Sequence, residues 1–325
     1  MTSTTWQDRY FQSADGLKLH YRDYPAAASD LSPVLCLPGL TRNAKDFEAV
    51  AARLARTRRV VSADFRGRGR SQYAADPLTY RPDVELSDTL LVLDHLGIAR
   101  AAVIGTSRGG IVTMFMAAKA PARLAGALLN DIGPRLDASG LLRIRTYIGG
   151  DPQFASWAEA VAALQLTNPG FATLSEAEWM VFAKRVFRDV NGSPRADYDP
   201  RLGVTFPSAE DITSGKVPEL WGLLDLMAAI PVTVLRGEHS DLLSAATVAE
   251  MKTHLPQLKT VTVQDRGHVP FLDEPESIAA IDEWLAEVDA AQVSRPPSAA
   301  PDEGAGQGQM YALSCLDGAL LARCF

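Results

Sequence analysis

The sequence has few cysteines and no apolar run long enough to span a bilayer. Three cysteines occur among 325 residues, and they show neither a disulfide framework nor the spacing of metal ligands. The first ten residues lack the apolar core of a secretory signal peptide. We therefore expect a cytoplasmic protein with no bound metal and no membrane partner.

Positive charge is also in deficit, since the formal net charge is −7. An acidic chain does not favour nucleic acid as a partner. No internal repeat is evident. Hydrophobic residues make up 47% of the composition, which is ample for one large core or for a domain with an insertion.

The most informative segment is a turn around Ser107. Residues 101–104 are apolar, small residues end this run, and residues 111–120 are good helix formers. Gly105, Ser107 and Gly109 therefore spell G-x-S-x-G between a strand and a helix, which is the pattern of a nucleophile elbow. Glycine has no Cβ, so it lets the crowded backbones of such a turn approach each other. The serine would lie at a helix N-terminus, whose N–H groups favour negative charge.

Strands and helices alternate over most of the chain. This alternation is typical of a parallel sheet with helices on both faces, in which ligands bind beyond the carboxyl ends of the strands. The strands are predicted at residues 10–13, 18–24, 34–37, 59–65, 101–106, 124–130, 232–235 and 260–263. The helices are predicted at residues 44–54, 84–96, 111–120, 245–254 and 275–288. We therefore predict an α/β fold with a twisted, mostly parallel sheet of eight strands.

The alternation stops in an insert, residues 135–218, where the sequence indicates short helices and several aromatic residues. We interpret the insert as a helical cap that lines an apolar pocket, placed within a core of residues 1–134 and 219–290. The candidate lining residues are Trp157, Trp179, Phe182, Leu243 and Val269. Residues 291–325, rich in Pro, Gly, Ala and Ser over much of their length, form a predicted flexible tail. The end of that tail is either a docking segment or a non-native extension.

The remaining candidates for chemistry are histidines and aspartates that follow predicted strands. A serine hydroxyl becomes a good nucleophile only when a base accepts its proton, commonly a histidine held by a carboxylate. His268 is the favoured base because it follows the last strand in a loop, and His239 is the alternative. Asp241 is the favoured acid because the order Ser107, Asp241, His268 is that of nucleophile-elbow enzymes. Asp131, which also ends a parallel strand, is the alternative acid.

Several motifs together resemble the α/β-hydrolase family, and the resemblance covers residues 10–290. The matching segments are GTSRGG at 105–110, RGEHSD at 236–241, GHVP at 267–270 and DFRGRGRS at 64–71. The Leu-Pro-Gly of residues 37–39 resembles the family's loop after its third strand, but departs from the His-Gly pair that is common there. The resemblance implies the α/β-hydrolase fold and no cofactor. It also implies an oxyanion hole formed by the backbone N–H groups of Leu40 and Arg108.

We expect a serine esterase acting on short or medium acyl chains, in which Ser107 attacks the ester and His268 transfers the proton. An enol-lactonase or carbon–carbon bond hydrolase with the same residues is the alternative. In that case the Arg108 side chain could hold a substrate carboxylate, although a salt bridge to a carboxylate such as Asp131 is the simpler interpretation. A non-catalytic binding protein of the same fold is a third hypothesis. The expected partner is a small-molecule ester, and no oligomeric state is predicted.

Overall fold

The fold is organised by an eight-stranded sheet, seen in a computed structural model that describes residues 6–26 and 29–293. The strands of the protein are β1 (Gln7–Gln12), β2 (Lys18–Tyr24), β3 (Val34–Leu37), β4 (Val60–Ala63), β5 (Ala101–Thr106), β6 (Leu124–Asn130), β7 (Phe187–Val190), β8 (Ser193–Ala196), β9 (Val232–Gly237) and β10 (Lys259–Val263). The order in the sheet is β1-β2-β4-β3-β5-β6-β9-β10. In this sheet β2 pairs antiparallel with β1 and with β4, and the other five pairs are parallel, so the predicted mostly parallel sheet is confirmed.

Helices cover both faces of the sheet, as predicted. They are α1 (Glu48–Leu54), α2 (Pro82–His95), α3 (Arg108–Lys119), α4 (Ala138–Arg145), α5 (Trp157–Thr167), α6 (Glu176–Val186), α7 (Ala209–Thr213), α8 (Trp221–Asp225), α9 (Ala245–His254) and α10 (Pro275–Val293). Alternate residues of β5 face different clusters: Ala101 and Val103 pack with α2 and α3, while Ala102 and Ile104 pack with α1 and α10. Burial on both faces explains why this strand is a continuous apolar run.

The insert contains a hairpin that the sequence analysis did not predict. β7 and β8 pair antiparallel across a two-residue turn, in which Asn191 and Gly192 both have positive φ. Asn-Gly is the preferred pair for a turn of this geometry. The strands were missed because β7 is largely exposed after Phe187, so no apolar run marks it. The prediction of short helices alone in the insert was therefore wrong.

The insert packs on the loops at the carboxyl edge of the sheet. Phe171, Phe182 and Phe187 of the insert belong to one apolar cluster, and Phe271 of the core packs against it. The Lys45 Nζ donates a hydrogen bond to the Phe187 carbonyl at 2.9 Å. These contacts place the insert beside the loops that follow the strands, which is where the ligand site of a parallel sheet is expected.

Within residues 6–26 and 29–293, no helix combines the length and the apolar character needed to cross a membrane. The cytoplasmic location stays a prediction. Most of the predicted flexible tail, residues 294–325, lies outside the described residues, as do its two cysteines. Residues 291–293 belong to α10.

Helix α10 provides a test of the packing. Trp284 is 0% exposed and its indole N–H donates to the Pro231 carbonyl at 3.3 Å. We expect Trp284→Ala to lower the free energy of unfolding by about 3–5 kcal/mol, because it leaves a large cavity between α10 and the sheet. Leu166→Ala is the control, since that side chain is 85% exposed, and its effect should stay below about 0.5 kcal/mol. Urea unfolding followed by circular dichroism measures both, and equal effects would contradict the packing.

Candidate active site

Ser107 lies at the turn between β5 and α3 with a backbone that few residues adopt. Its φ is 49° and its ψ is −112°, and such a conformation persists only where the surroundings hold it. A Cβ at Gly109 would lie 2.1 Å from the Leu37 carbonyl oxygen, and one at Gly105 would lie 2.6 Å from the Gly109 carbonyl oxygen. Both glycines are therefore required by close backbone approach, as the sequence pattern predicts.

His268 follows β10 and connects Ser107 to a buried carboxylate. The Ser107 hydroxyl donates to His268 Nε2 at 3.0 Å. His268 Nδ1 donates to Asp131 Oδ2 at 2.7 Å. With its proton on Nδ1, the imidazole presents the lone pair of Nε2 to the serine hydroxyl. The three side chains can therefore move a proton from the serine oxygen to the imidazole while the carboxylate balances the charge that forms.

Asp131 is held by more than the histidine. It follows β6 with a φ of 54°, and its side chain is 0% exposed. Its carboxylate accepts hydrogen bonds from the Gly237 N–H at 2.8 Å and from the Ser240 hydroxyl at 2.6 Å. Together with His268, these donors satisfy a charge that would otherwise be costly to bury.

The predicted contact between Asp241 and His268 is wrong. The Asp241 carboxylate instead receives two hydrogen bonds from the Arg143 guanidinium of α4, the one to Oδ1 at 2.8 Å. Burial opposes ionisation of Asp241, but the hydrogen bonds and charge of Arg143 outweigh it and lower the pKa of this carboxyl. Because β6 and β9 are neighbours in the sheet, an acid after either strand lies near the same edge, and chain order does not separate them.

The other candidate base, His239, lies apart from this arrangement. It is exposed, and its Nε2 is 3.7 Å from Glu238 and 3.9 Å from Asp265. Among the described residues, these three side chains are the one group close enough together to hold a metal ion, and all of them are exposed.

Ser107 and His268 face a cavity of about 260 Å³. Phe182 and Val269, two of the predicted lining residues, are in its wall. Trp157 is not, because its indole N–H donates to Asp189 in the insert, at 3.2 Å. Trp179 packs behind the wall, with its ring 5.8 Å from that of the wall residue Phe182.

Leu243, the remaining predicted lining residue, is also absent from the wall. The Leu243 side chain is fully buried in the core. It packs against Gly133, where an added Cβ would lie 2.8 Å from Leu243 Cδ1. The wall instead includes Tyr147 and Tyr198, which come before and after the β7–β8 hairpin in the sequence. A tyrosine phenol is already neutral near pH 7, and burial raises the pKa of both phenols further.

Charged side chains in the wall are paired. Arg42 Nε donates to Asp46 Oδ2 at 2.8 Å, and both residues line the cavity. Arg185 NH2 lies 3.4 Å from Asp273 Oδ2. The cavity is therefore mostly apolar with compensated charge, which suits a neutral acyl group better than a highly charged one.

The two residues with candidate oxyanion donors flank Ser107. Leu40 follows β3 and lines the cavity, and a Cβ at Gly39 would lie 3.8 Å from Ser107 Cβ. Arg108 is the first residue of α3, where backbone N–H groups have no acceptor within the helix. The Arg108 side chain is 2% exposed and lies 3.6 Å from Glu85. Its carboxylate neighbour is thus Glu85 rather than the expected Asp131, and the side chain is not part of the cavity wall.

Comparisons with known proteins agree with this fold. The sequence model described as "Alpha/beta hydrolase family" matches residues 34–281. A 3-hydroxybutyrate-oligomer hydrolase from Cupriavidus necator is 34% identical over 269 residues, which cover 80% of this chain and 91% of that protein. A 2-hydroxymuconate semialdehyde hydrolase from a Pseudomonas species is 25% identical, covering 79% of this chain and 86% of that protein. The crystal structure of an alpha/beta hydrolase from Novosphingobium aromaticivorans is 44% identical with a TM-score of 0.79, and the match covers 88% of this chain and 99% of that one.

The identity of the acid can be tested directly. We expect Asp131→Asn to slow covalent labelling of Ser107 by a fluorophosphonate by three to four orders of magnitude, comparable to the loss of about 10⁴-fold that the wrong histidine tautomer causes. Asp241→Asn removes the ion pair with Arg143 but leaves the His268 hydrogen bonds, so its labelling rate should fall less than about tenfold. Labelling rates followed by intact-protein mass spectrometry, with circular dichroism as the folding control, measure both. A larger loss for Asp241→Asn would contradict the geometry.

Proposed function

The chain belongs to the alpha/beta hydrolase family, and from this premise we propose that it is a serine hydrolase of carboxylic esters. The supporting observation is the hydrogen-bonded series from Ser107 through His268 to Asp131, with distances of 3.0 and 2.7 Å, at the wall of a mostly apolar cavity. If Ser107 had no catalytic role, the buried Asp131 carboxylate with its three hydrogen-bond donors would need a separate explanation.

In the first half of the reaction, the Ser107 oxygen attacks the ester carbonyl carbon while its proton moves to His268 Nε2. The carbonyl oxygen becomes an oxyanion, which the backbone N–H groups of Leu40 and Arg108 stabilise. Such preorganised donors act where charge develops, and the loss of one costs about 3–4 kcal/mol of transition-state stabilisation. The intermediate then collapses: the ester C–O bond breaks, His268 returns the proton to the leaving oxygen, and the alcohol departs.

In the second half, water attacks the acyl-enzyme. His268 Nε2 accepts a proton from that water, a second oxyanion forms in the same place, and the bond to the Ser107 oxygen breaks. His268 then returns the proton to Ser107, so the carboxylic acid is released and the enzyme is restored. The reactants in this sequence of steps are the ester and water.

The substrate class that we favour is a short ester, including short oligomers of 3-hydroxy acids. A cavity of about 260 Å³ is slightly smaller than the range of about 300–1,000 Å³ found for drug-sized ligands. Its apolar walls favour a short aliphatic acyl group, and the insert acts as the cap that supplies part of them. The name of the C. necator relative adds support, because a 3-hydroxybutyrate oligomer is joined by ester bonds between short acyl units.

Carbon–carbon bond hydrolysis is the second candidate. The Pseudomonas relative at 25% identity favours it, and the same three side chains could serve that reaction. An enol-lactone substrate falls in the same alternative group. A non-catalytic binding protein is the weaker hypothesis, because a binding site has no need of a serine hydroxyl placed 3.0 Å from an imidazole nitrogen.

We expect Ser107→Ala to abolish the hydrolysis of p-nitrophenyl butyrate, lowering kcat by at least about 10⁴-fold, because the acyl-enzyme forms on the Ser107 oxygen. Ser87→Ala is the matched control, since that serine is exposed on α2 and donates to the Asp83 carbonyl at 3.1 Å. The control should retain kcat within a factor of two. Release of p-nitrophenolate measures both, and activity that survives in Ser107→Ala would overturn the proposal.

A substrate panel separates the two candidate reactions. We expect kcat/KM for 3-hydroxybutyrate dimer and trimer to exceed that for a C12 ester by at least about tenfold, because the small cavity excludes long chains. It should exceed that for a dienoate carbon–carbon substrate by a similar factor, because the proposed reaction is cleavage of an ester. Chromatography of the products gives the rates. A dienoate cleaved faster than every ester would assign the chain to carbon–carbon hydrolysis instead.

A further inference from the structure

Three charged side chains are buried together beside the turn that carries Ser107. Arg68 and Glu85 are 0% exposed, and Arg68 NH2 lies 2.7 Å from Glu85 Oε1. Arg108, which directly follows Ser107, is 2% exposed, and its Nε lies 3.6 Å from Glu85 Oε2. One carboxylate on α2 therefore bridges two guanidinium groups that come from different parts of the chain.

Arg68 also holds the loop after β3. Its Nε donates to the Leu40 carbonyl at 2.8 Å, and its NH1 donates to the Arg66 carbonyl at 2.7 Å. The loop closes on itself through a hydrogen bond from the Arg42 N–H to the Gly39 carbonyl at 3.1 Å. The guanidinium therefore fixes the backbone of Leu40 on one side and contacts Glu85 on the other.

Stability alone does not explain this network. Burying ions is costly, and well-packed apolar side chains in their place are often as stable or more stable. What the network does provide is a connection between two backbone segments, one containing Leu40 and the other containing Arg108. Hydrogen-bond donors aimed at a developing oxyanion must keep their separation within a fraction of an ångström.

We propose that Arg68 and Glu85 are positioning residues that set the distance between the two oxyanion donors, the N–H groups of Leu40 and Arg108. This inference rests on the proposed function, since it assumes an oxyanion at Ser107. The network acts through the backbone and touches neither the substrate nor the serine oxygen. Its loss should therefore reduce the rate of the chemical step while leaving the affinity for neutral ground-state ligands unchanged.

The chain contains a matched control for this network. Arg66 and Asp88 lie two and three residues away from Arg68 and Glu85, on the same loop and the same helix. They are 2% and 6% exposed, and Arg66 donates to Asp88 through Nε at 2.7 Å and NH2 at 2.8 Å. The remaining partner of the Arg66 guanidinium is Asp15 at the N-terminal hairpin. This pair is thus similar in burial and charge, but the Arg66 guanidinium contacts Asp15 and not the Leu40 carbonyl.

The first test compares Glu85→Gln with Asp88→Asn in p-nitrophenyl butyrate hydrolysis by the full chain. We expect Glu85→Gln to lower kcat about 10-fold to 100-fold with KM within threefold, because two guanidinium groups lose the charge between them and the donors shift. Asp88→Asn should lower the unfolding temperature by a similar amount but keep kcat within threefold. Equal losses of kcat in the two variants would overturn the proposal.

A second variant covers the case in which Glu85→Gln does not fold. Arg68→Lys keeps a positive charge beside Glu85, but one ammonium group cannot replace the guanidinium fork that contacts both Glu85 and the Leu40 carbonyl. Its kcat should fall about tenfold or more, and wild-type kcat in folded Arg68→Lys would overturn the proposal.

An oxyanion mimic distinguishes positioning from general damage. The Ki of a trifluoromethyl ketone should rise in parallel with the loss of kcat, while the Ki of butanol and the pH profile of kcat stay unchanged. A parallel rise for butanol would mean a damaged cavity and would overturn the proposal. Ser107→Ala distinguishes failure of the proposed function from failure of the positioning role. If this variant remains active, the proposed function fails. If it is inactive while Glu85→Gln and Asp88→Asn behave alike, only the positioning role fails.

Discussion

The site depends on the hydrogen bond from His268 to Asp131, because that bond decides which imidazole nitrogen faces Ser107. At 2.7 Å it holds the proton on Nδ1 and leaves the Nε2 lone pair directed at the serine hydroxyl. The bond can form only where the ends of β5, β6 and β10 meet at one edge of the sheet. The parallel sheet supplies that edge, since β6 lies beside β5 and β9, and β10 follows β9. The fold is therefore the means by which three residues distant in sequence come within hydrogen-bond distance.

Asp241, the second acid at this edge of the sheet, has a structural role through its ion pair with Arg143. Arg143 belongs to α4 of the insert, while Asp241 follows β9 of the core. Their hydrogen bonds fix the start of the insert to the loop beside Asp131, and the Asp241 carbonyl also accepts from the Ser139 hydroxyl at 3.0 Å. The Asp131 carboxylate thus orients the imidazole, while the Asp241 carboxylate connects the insert to the core. Neither could take the other's role unless a helix or loop moved.

Local sequence patterns predicted the parts of the molecule that local rules determine. The glycines around Ser107 mark a backbone approach that excludes a Cβ, and apolar runs mark strands buried on both faces. The choice between Asp131 and Asp241 depends on which loop lies opposite His268, and that is a property of the assembled edge. The Asn191-Gly192 turn was a readable signal for the hairpin, but the exposed β7 provided no apolar run beside it. Trp157 and Trp179 were assigned to the wall because they are aromatic. Whether an aromatic side chain reaches the cavity depends on which side of its helix it lies.

The loop that carries His268 is the least regular part of the site, so the position of the imidazole depends on what holds this loop. Ser107 is fixed by a strand, a helix and two glycines, and Asp131 is fixed because its N–H donates to Leu235 of β9 at 2.8 Å. The histidine loop has one backbone hydrogen bond to a neighbouring loop, from the His239 N–H to the Arg266 carbonyl at 2.8 Å, and side chains supply further support. Asn130, the last residue of β6, donates to the Pro270 carbonyl at 3.0 Å, and Glu274 accepts from the Phe271 N–H at 2.8 Å. Since Asn130 directly precedes Asp131, a single strand end holds both the acid and the loop of the base.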